Sequence, residues 1–189
     1  MADSDKLSDL PVQALLDRLA SSDPVPGGGS AAALAGAMGA ALVAMVAELT
    51  IGRTDYSEHD PMLRDLRAAA LERKRLLLSL AEEDASAYQA VVAARRMTKQ
   101  TEPQRGARAA ALRTAMIGAA RVPLHTANVA AEVLELASQI APIGNRNAVS
   151  DAGVAAQLAG AALRGALLKG STSPTCRSTS RCGRAPPRS

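Results

Sequence analysis

Two short segments of this 189-residue chain carry groups that can do chemistry without a metal. The first is Pro26-Gly27-Gly28-Gly29-Ser30. Three successive glycines expose backbone N–H donors without Cβ obstruction. They lead into a predicted helix N-terminus, where unpaired amides and the helix dipole favour a carboxylate or another electron-rich oxygen. No Gly-Lys-Ser/Thr follows and no strand precedes it, so the loop is neither a P-loop nor a dinucleotide fingerprint. Spacing alone leaves a plain flexible turn as an equal reading. The second is Asp84, which falls inside the apolar stripe of a long predicted helix, seven residues after Leu77 and four before Tyr88. A carboxylate there is paired, turned outward or kept for function, because unsatisfied burial is costly. An interhelix hydrogen-bond role is the structural alternative. Glu82 and Glu83 beside it read as solvated-face residues.

Other polar clusters are weaker signals. His125, Asn128 and Glu132 share a helix face at i, i+3 and i+7 and could form the polar wall of a cleft. One histidine and one distant glutamate make no convincing metal site, and none is expected. His59, among Asp55, Glu58 and Asp60, reads as an exposed loop histidine. Asn145, Arg146, Asn147, Ser150 and Asp151 form a compact polar turn at a helix start. Capping electrostatics explain Asp151 fully, and a ligand-facing role for the turn stays open.

The elements that must position these groups are helical. The chain has no Phe, no Trp and two Tyr, yet hydrophobic residues reach 48%, carried by the strong helix formers Ala and Leu with Val and Met. A sheet is improbable on that composition. The expectation is an all-α, antiparallel up-and-down bundle of long helices. Small side chains bury little area each, which favours a partner subunit. Helices are expected over about 8–20 with Ser8 as cap, over 30–50 with Ser30 as N-cap, and from Pro61 to about Met97. A region from Thr101 meets a kink or break at Pro123, and a last helix runs from Ser150–Asp151 to about Lys169-Gly170. Gly36 and Gly39 mark close helix contacts or a ligand's approach. Residues 30–47 hold 18 uncharged positions, near the lower length for a membrane span. Much of that run is Ala and Gly, a pattern a buried helix also gives, and no membrane partner is expected.

The excess of positive charge and both cysteines are confined to one end. The net charge is +4, and Arg177, Arg181, Arg184 and Arg188 lie in 170–189 without an acid. The remainder holds 18 basic residues (22 less these four) against 18 acidic ones, so no phosphate-binding face and no nucleic-acid partner are expected. Cys176 and Cys182 lie there too, leaving the body without a thiolate site. The acidic start, Met-Ala-Asp-Ser-Asp, lacks a signal peptide's pattern, and cytoplasm is the default. The expected division is a helical domain over 1–169 and a disordered or aberrant basic tail over 170–189.

Several segments in consistent order match a known pattern. They are Val25-Pro-Gly-Gly-Gly-Ser30 with the Ala/Gly helix to Met45-Val46, then Leu49-Thr-Ile-Gly-Arg53 with Tyr56, and Asp84-Ala-Ser-Ala-Tyr88. Val122-Pro-Leu124, Gly144-Asn-Arg-Asn, Ser150-Asp-Ala-Gly-Val-Ala-Ala156 and Ala162-Leu-Arg-Gly-Ala166 follow. Over about residues 10–168 the chain resembles the cyclodeaminase/methenyltetrahydrofolate cyclohydrolase family, related to the C-terminal domain of formiminotransferase-cyclodeaminase.

The resemblance implies a homodimeric bundle acting on a small-molecule folate, with no cofactor beyond the tetrahydrofolate adduct. It favours a methenyltetrahydrofolate cyclohydrolase giving 10-formyltetrahydrofolate, since the chain has no room for a formiminotransferase domain. The alternatives are a formiminotetrahydrofolate cyclodeaminase releasing ammonia and a non-catalytic folate-binding or scaffold protein. It implies Asp84 as the proton-transfer group and Gly27, Gly28, Gly29 and Ser30 as substrate amides. Arg53 is implied for the glutamyl tail and Tyr56 or Tyr88 for the ring system, with His125, Asn145 and Asp151 as further contacts. Family members continue past the last small-residue helix with another long helix, and 170–189 departs from that pattern.

Overall fold

The computed structural model describes residues 6–172. Among them are five α-helices, α1 (Val12–Leu19), α2 (Gly28–Glu48), α3 (Asp60–Arg96), α4 (Glu102–Ile140) and α5 (Val149–Thr172), with three short 3-10 turns and no strand. The all-α expectation holds. α2, α3, α4 and α5 form a ring of sequential neighbours that α5 closes against α2. Their contacts fix an antiparallel course. Ser30 at the start of α2 meets Asp84 late in α3, and Arg67 early in α3 pairs with Glu48 at the end of α2. Arg73 of α3 reaches back to Glu132 of α4.

Several expected boundaries move for identifiable reasons. Pro11, not Ser8, is the N-cap of α1, and the Ser8 N–H instead donates to Glu82 Oε1 at 3.1 Å. Glu82 thus ties the N-terminal segment to α3 rather than standing free. Ser30 is not the N-cap of α2. Gly27 is, because the glycines enter the helix themselves and carry its start back by one turn. Pro61 sits in the first turn of α3, as expected. Thr101 starts α4 with a full capping box to Gln104. α4 then runs unbroken through Pro123. The proline lacks the N–H that Ala119 O would accept, and buried packing keeps the helix continuous around that loss. α5 begins at Val149, one residue ahead of Ser150, and passes Gly170 to Thr172. The expectation for the basic tail from 173 onward lies outside the described residues.

The core is built of small residues. Ala33, Ala37, Ala40 and Ala47 of α2 meet Leu63, Leu77 and Leu80 of α3 and Ala155, Ala159 and Ala162 of α5, all buried. Gly39 shows why α2 needs glycine: a Cβ there would lie 2.9 Å from the Ala155 carbonyl oxygen. At Gly36 it would stand 3.2 Å from Ala162 Cβ. Of the two uses expected for these glycines, close helix contact is therefore the one observed. The apolar run of residues 30–47 lies within α2, and most of it is buried against the neighbouring helices.

The helices differ in length, and that difference shapes the site. At about 1.5 Å per residue, α3 and α4 reach roughly 55–60 Å, against about 31–36 Å for α2 and α5. The far ends of α3 and α4 therefore project as a two-helix arm beyond the four-helix body.

Candidate functional site

Where the body gives way to the arm, a groove of about 360 Å³ opens. Its floor comes from the stripe that forms the core lower on α3. Leu63, Leu66, Leu77 and Leu80 are buried, and the same stripe continues upward as Asp84, Tyr88, Val91 and Arg95, which line the groove. Pro24, Val25 and Gly27 close it from the loop before α2, Met116, Ala119 and Pro123 from α4, and Lys169 from α5. Pro123 leaves the Ala119 carbonyl without its intrahelical donor, and both residues line the groove.

Asp84 is fixed by the start of α2. The Ser30 N–H donates to Asp84 Oδ2 at 3.0 Å. The fully buried Ser30 hydroxyl donates to the Ala81 carbonyl at 2.9 Å and stands 3.3 Å from Asp84 Oδ2. An acid from α3 therefore serves the unpaired amides of α2, where the helix dipole favours negative charge. Oδ1 lies over Gly29 so closely that a Cβ at that position would be 2.2 Å from it. Glycine at 29 is thus the condition for Asp84 to seat. The interhelix hydrogen bond expected of a structural Asp84 is present, and the carboxylate also lines an open groove. Among the described residues its Oδ1 makes no hydrogen bond.

The expected site residues divide into three places. Gly27, Gly28, Gly29, Ser30, Asp84 and Tyr88 meet at the groove or directly behind it, and Tyr88 is 42% exposed there. Arg53, Tyr56 and Asn145 gather beyond the other end of α2, on the order of 30 Å from Asp84 by helix rise. Asn145 is committed to structure. Its N–H donates to Thr50 Oγ1 at 2.9 Å, its Nδ2 to the Leu49 carbonyl at 3.4 Å, and its Oδ1 accepts from Asn147 N. Tyr56 Oη accepts from Arg146 N at 3.2 Å. Arg53 is exposed. Asp151 lies in the first turn of α5, where its charge suits the dipole.

His125 faces a second groove of about 470 Å³ with Glu83, Ser86 and Arg121, on the other flank of the α3–α4 seam. This groove contains neither Asp84 nor the glycine loop. Glu132, expected beside His125, is instead spent on Arg73, and that hydrogen bond holds the guanidinium still more firmly protonated. Among the described residues no group of three His, Cys, Asp or Glu could hold a metal ion.

Arg95 and Lys169 were not among the expected site residues. Arg95 had a signal, since it stands eleven residues after Asp84 on the same stripe. Lys169 had none, because its position depends on how α5 packs.

Comparison with known proteins follows the same lines. Residues 11–170 match the family model described as formiminotransferase-cyclodeaminase. A methenyltetrahydrofolate cyclohydrolase from Methylorubrum extorquens is 45% identical over 157 residues, covering 83% of this chain and 76% of that protein. A formimidoyltransferase-cyclodeaminase from Rattus norvegicus is 33% identical over 151 residues, 80% of this chain but 28% of that longer protein. A solved formiminotetrahydrofolate cyclodeaminase from Thermotoga maritima superposes with a TM-score of 0.77 at 27% identity, covering 92% of this chain and 85% of that one.

Proposed function

Since the chain belongs to the formiminotransferase-cyclodeaminase family, we propose that the Asp84 groove binds a one-carbon adduct of tetrahydrofolate and remakes the bonds joining that carbon to N5 and N10. The observation that supports this reading most is the placement of Asp84, a carboxylate held by the first turn of α2 on the wall of an open groove.

Two reactions use that arrangement. In cyclodeamination N10 attacks the formimino carbon carried on N5. A proton passes to the departing nitrogen, ammonia leaves, and the methenyl bridge remains. In hydrolysis water attacks the methenyl carbon and loses a proton, the bond from carbon to N5 breaks, and N5 takes up a proton as 10-formyltetrahydrofolate forms. Asp84 serves either reaction as the group that moves a proton. Its charge also favours the cationic character of the bridged species.

More of the named relatives, and the solved structure, are cyclodeaminases. That shifts weight from the expected hydrolysis toward ammonia release. Hydrolysis stays as the second reading on one specific observation: the 45% identical cyclohydrolase, three quarters of whose length the chain spans. We also propose that the chain works as a homodimer. The outer face of α2 is apolar and uncovered, with Met38, Met45 and Leu49 exposed at helical spacing, and a second copy is the occupant this reading assigns to it.

The deciding experiment supplies each adduct separately to purified protein. Cyclodeamination predicts methenyl absorbance rising from the formimino adduct with one ammonia per methenyl formed. Hydrolysis predicts loss of supplied methenyl absorbance faster than the spontaneous rate. Tight binding of reduced folate with neither reaction would mark a non-catalytic folate-binding protein, and absence of binding would overturn the reading.

A further inference from the structure

The groove is polar at its two ends and apolar between them. At the lower end stand Asp84 and the start of α2. At the upper end stands Arg95, eleven residues further along α3, about 16 Å away at helical rise. Tyr88, Val91 and Met116 line the middle. A second guanidinium adjoins the upper end, because Arg108 Nε and Nη2 both donate to the Arg95 carbonyl at 3.3 Å. Among the described residues no carboxylate lies within ion-pair distance of Arg95 or Arg108. Basic residues in the last turn of a helix have an ordinary use against the dipole, and Arg95 and Arg96 both supply it. Only Arg95 of the two also lines the groove.

We infer that Arg95 is the residue that recognises the glutamyl carboxylates of the substrate, with Tyr88 and Val91 receiving the benzoyl ring. This rests on the folate reading of the Asp84 groove. A reacting carbon beside Asp84 places the remainder of the molecule along the α3 stripe, and an extended benzoylglutamate together with an arginine side chain covers the distance to Arg95. A planar guanidinium pairs with a carboxylate through two parallel hydrogen bonds. It moves the anchoring role away from Arg53, which lies beyond the opposite end of α2.

The test is a coupling measurement on the full chain. Binding of 5-formyltetrahydrofolate and of 5-formyltetrahydropteroate, which lacks the glutamate, is measured for wild type and for Arg95→Ala, Arg95→Lys, Arg53→Ala and Arg96→Ala, alongside thermal unfolding. Removing the glutamate is expected to weaken wild-type binding on the order of tenfold to a hundredfold, the range of a charge-assisted hydrogen-bonded pair. In Arg95→Ala that penalty falls to near one, and in Arg95→Lys it is intermediate. Arg96→Ala keeps the full penalty. The inference is overturned if Arg95→Ala keeps the full penalty, or if Arg53→Ala abolishes it instead. Wild type that binds both ligands equally well also overturns it while leaving the folate reading standing. Wild type that binds neither overturns both.

Discussion

At the scale of single residues, Asp84, Gly29 and Ser30 work as one unit. The carboxylate finds its place because residue 29 has no side chain, and it keeps it because Ser30 donates to it. Alanine in place of glycine inside a helix ordinarily stabilises by about 1 kcal/mol. Gly29→Ala is expected to do the reverse and destabilise by roughly 1–3 kcal/mol, since its Cβ must displace Asp84. Gly106→Ala, with nothing within 4 Å of its Cβ, is the control that keeps the ordinary sign. Chemical denaturation of both variants checks this, and a stabilised Gly29→Ala would mean that Asp84 is not seated as described. Asp84 was legible in the sequence as an acid out of place on an apolar stripe. Its hydrogen bond was not, because the partner lies 54 positions away and spacing within one helix says nothing about neighbours.

At the scale of elements, periodicity predicted where helices lie, while their ends followed local bonding that periodicity does not carry. Ser30 has the side chain of an N-cap, yet the glycines before it turn helical and place it in the third position. Pro123 has the chemistry of a breaker, yet α4 passes through it, with Pro123 itself and Thr126 and Ala127 of the next turn buried. The turn after α4 shows the opposite case. Gly144-Asn145-Arg146-Asn147 has the polar groups of a possible ligand contact, and in the structure the Asn145 side chain and N–H join this turn to the end of α2. Thr50 is the hub: fully buried, it donates to the Val46 carbonyl and accepts from the Asn145 N–H. Thr50→Val keeps the shape and strands that buried N–H, so a loss of about 1–3 kcal/mol is expected. Turnover in the folded fraction should be unchanged, because the network stands at the far end of α2 from the groove. A comparable fall in kcat at full folding would place this turn in the site after all.

At the scale of the whole molecule, an alanine-rich core leaves one face of its central helix apolar and uncovered. Composition pointed to a partner in general terms, and the surface we propose for it is the exposed row Met38, Met45 and Leu49. Exposed apolar patches of this kind mark association sites in soluble proteins. The double substitution Met38→Glu with Met45→Glu is expected to convert a wild-type dimer to monomers with helicity intact, as read by light scattering and circular dichroism. A wild-type chain that is monomeric at micromolar concentration would remove the dimer from the account. The projecting arm of α3 and α4 was not legible beforehand, because it follows from unequal helix lengths around a shared core rather than from any one segment.

The most direct test of the central claim is turnover by Asp84→Asn, measured on whichever adduct the wild type consumes. Asparagine retains an acceptor for the Ser30 N–H and caps helices as well as aspartate does, so the variant should fold and bind reduced folate like wild type. With proton transfer removed, kcat is expected to fall by about 10²–10⁴-fold while the melting temperature stays within a few degrees. Wild-type turnover in the folded Asp84→Asn protein would contradict the account and leave Asp84 as an interhelix cap alone.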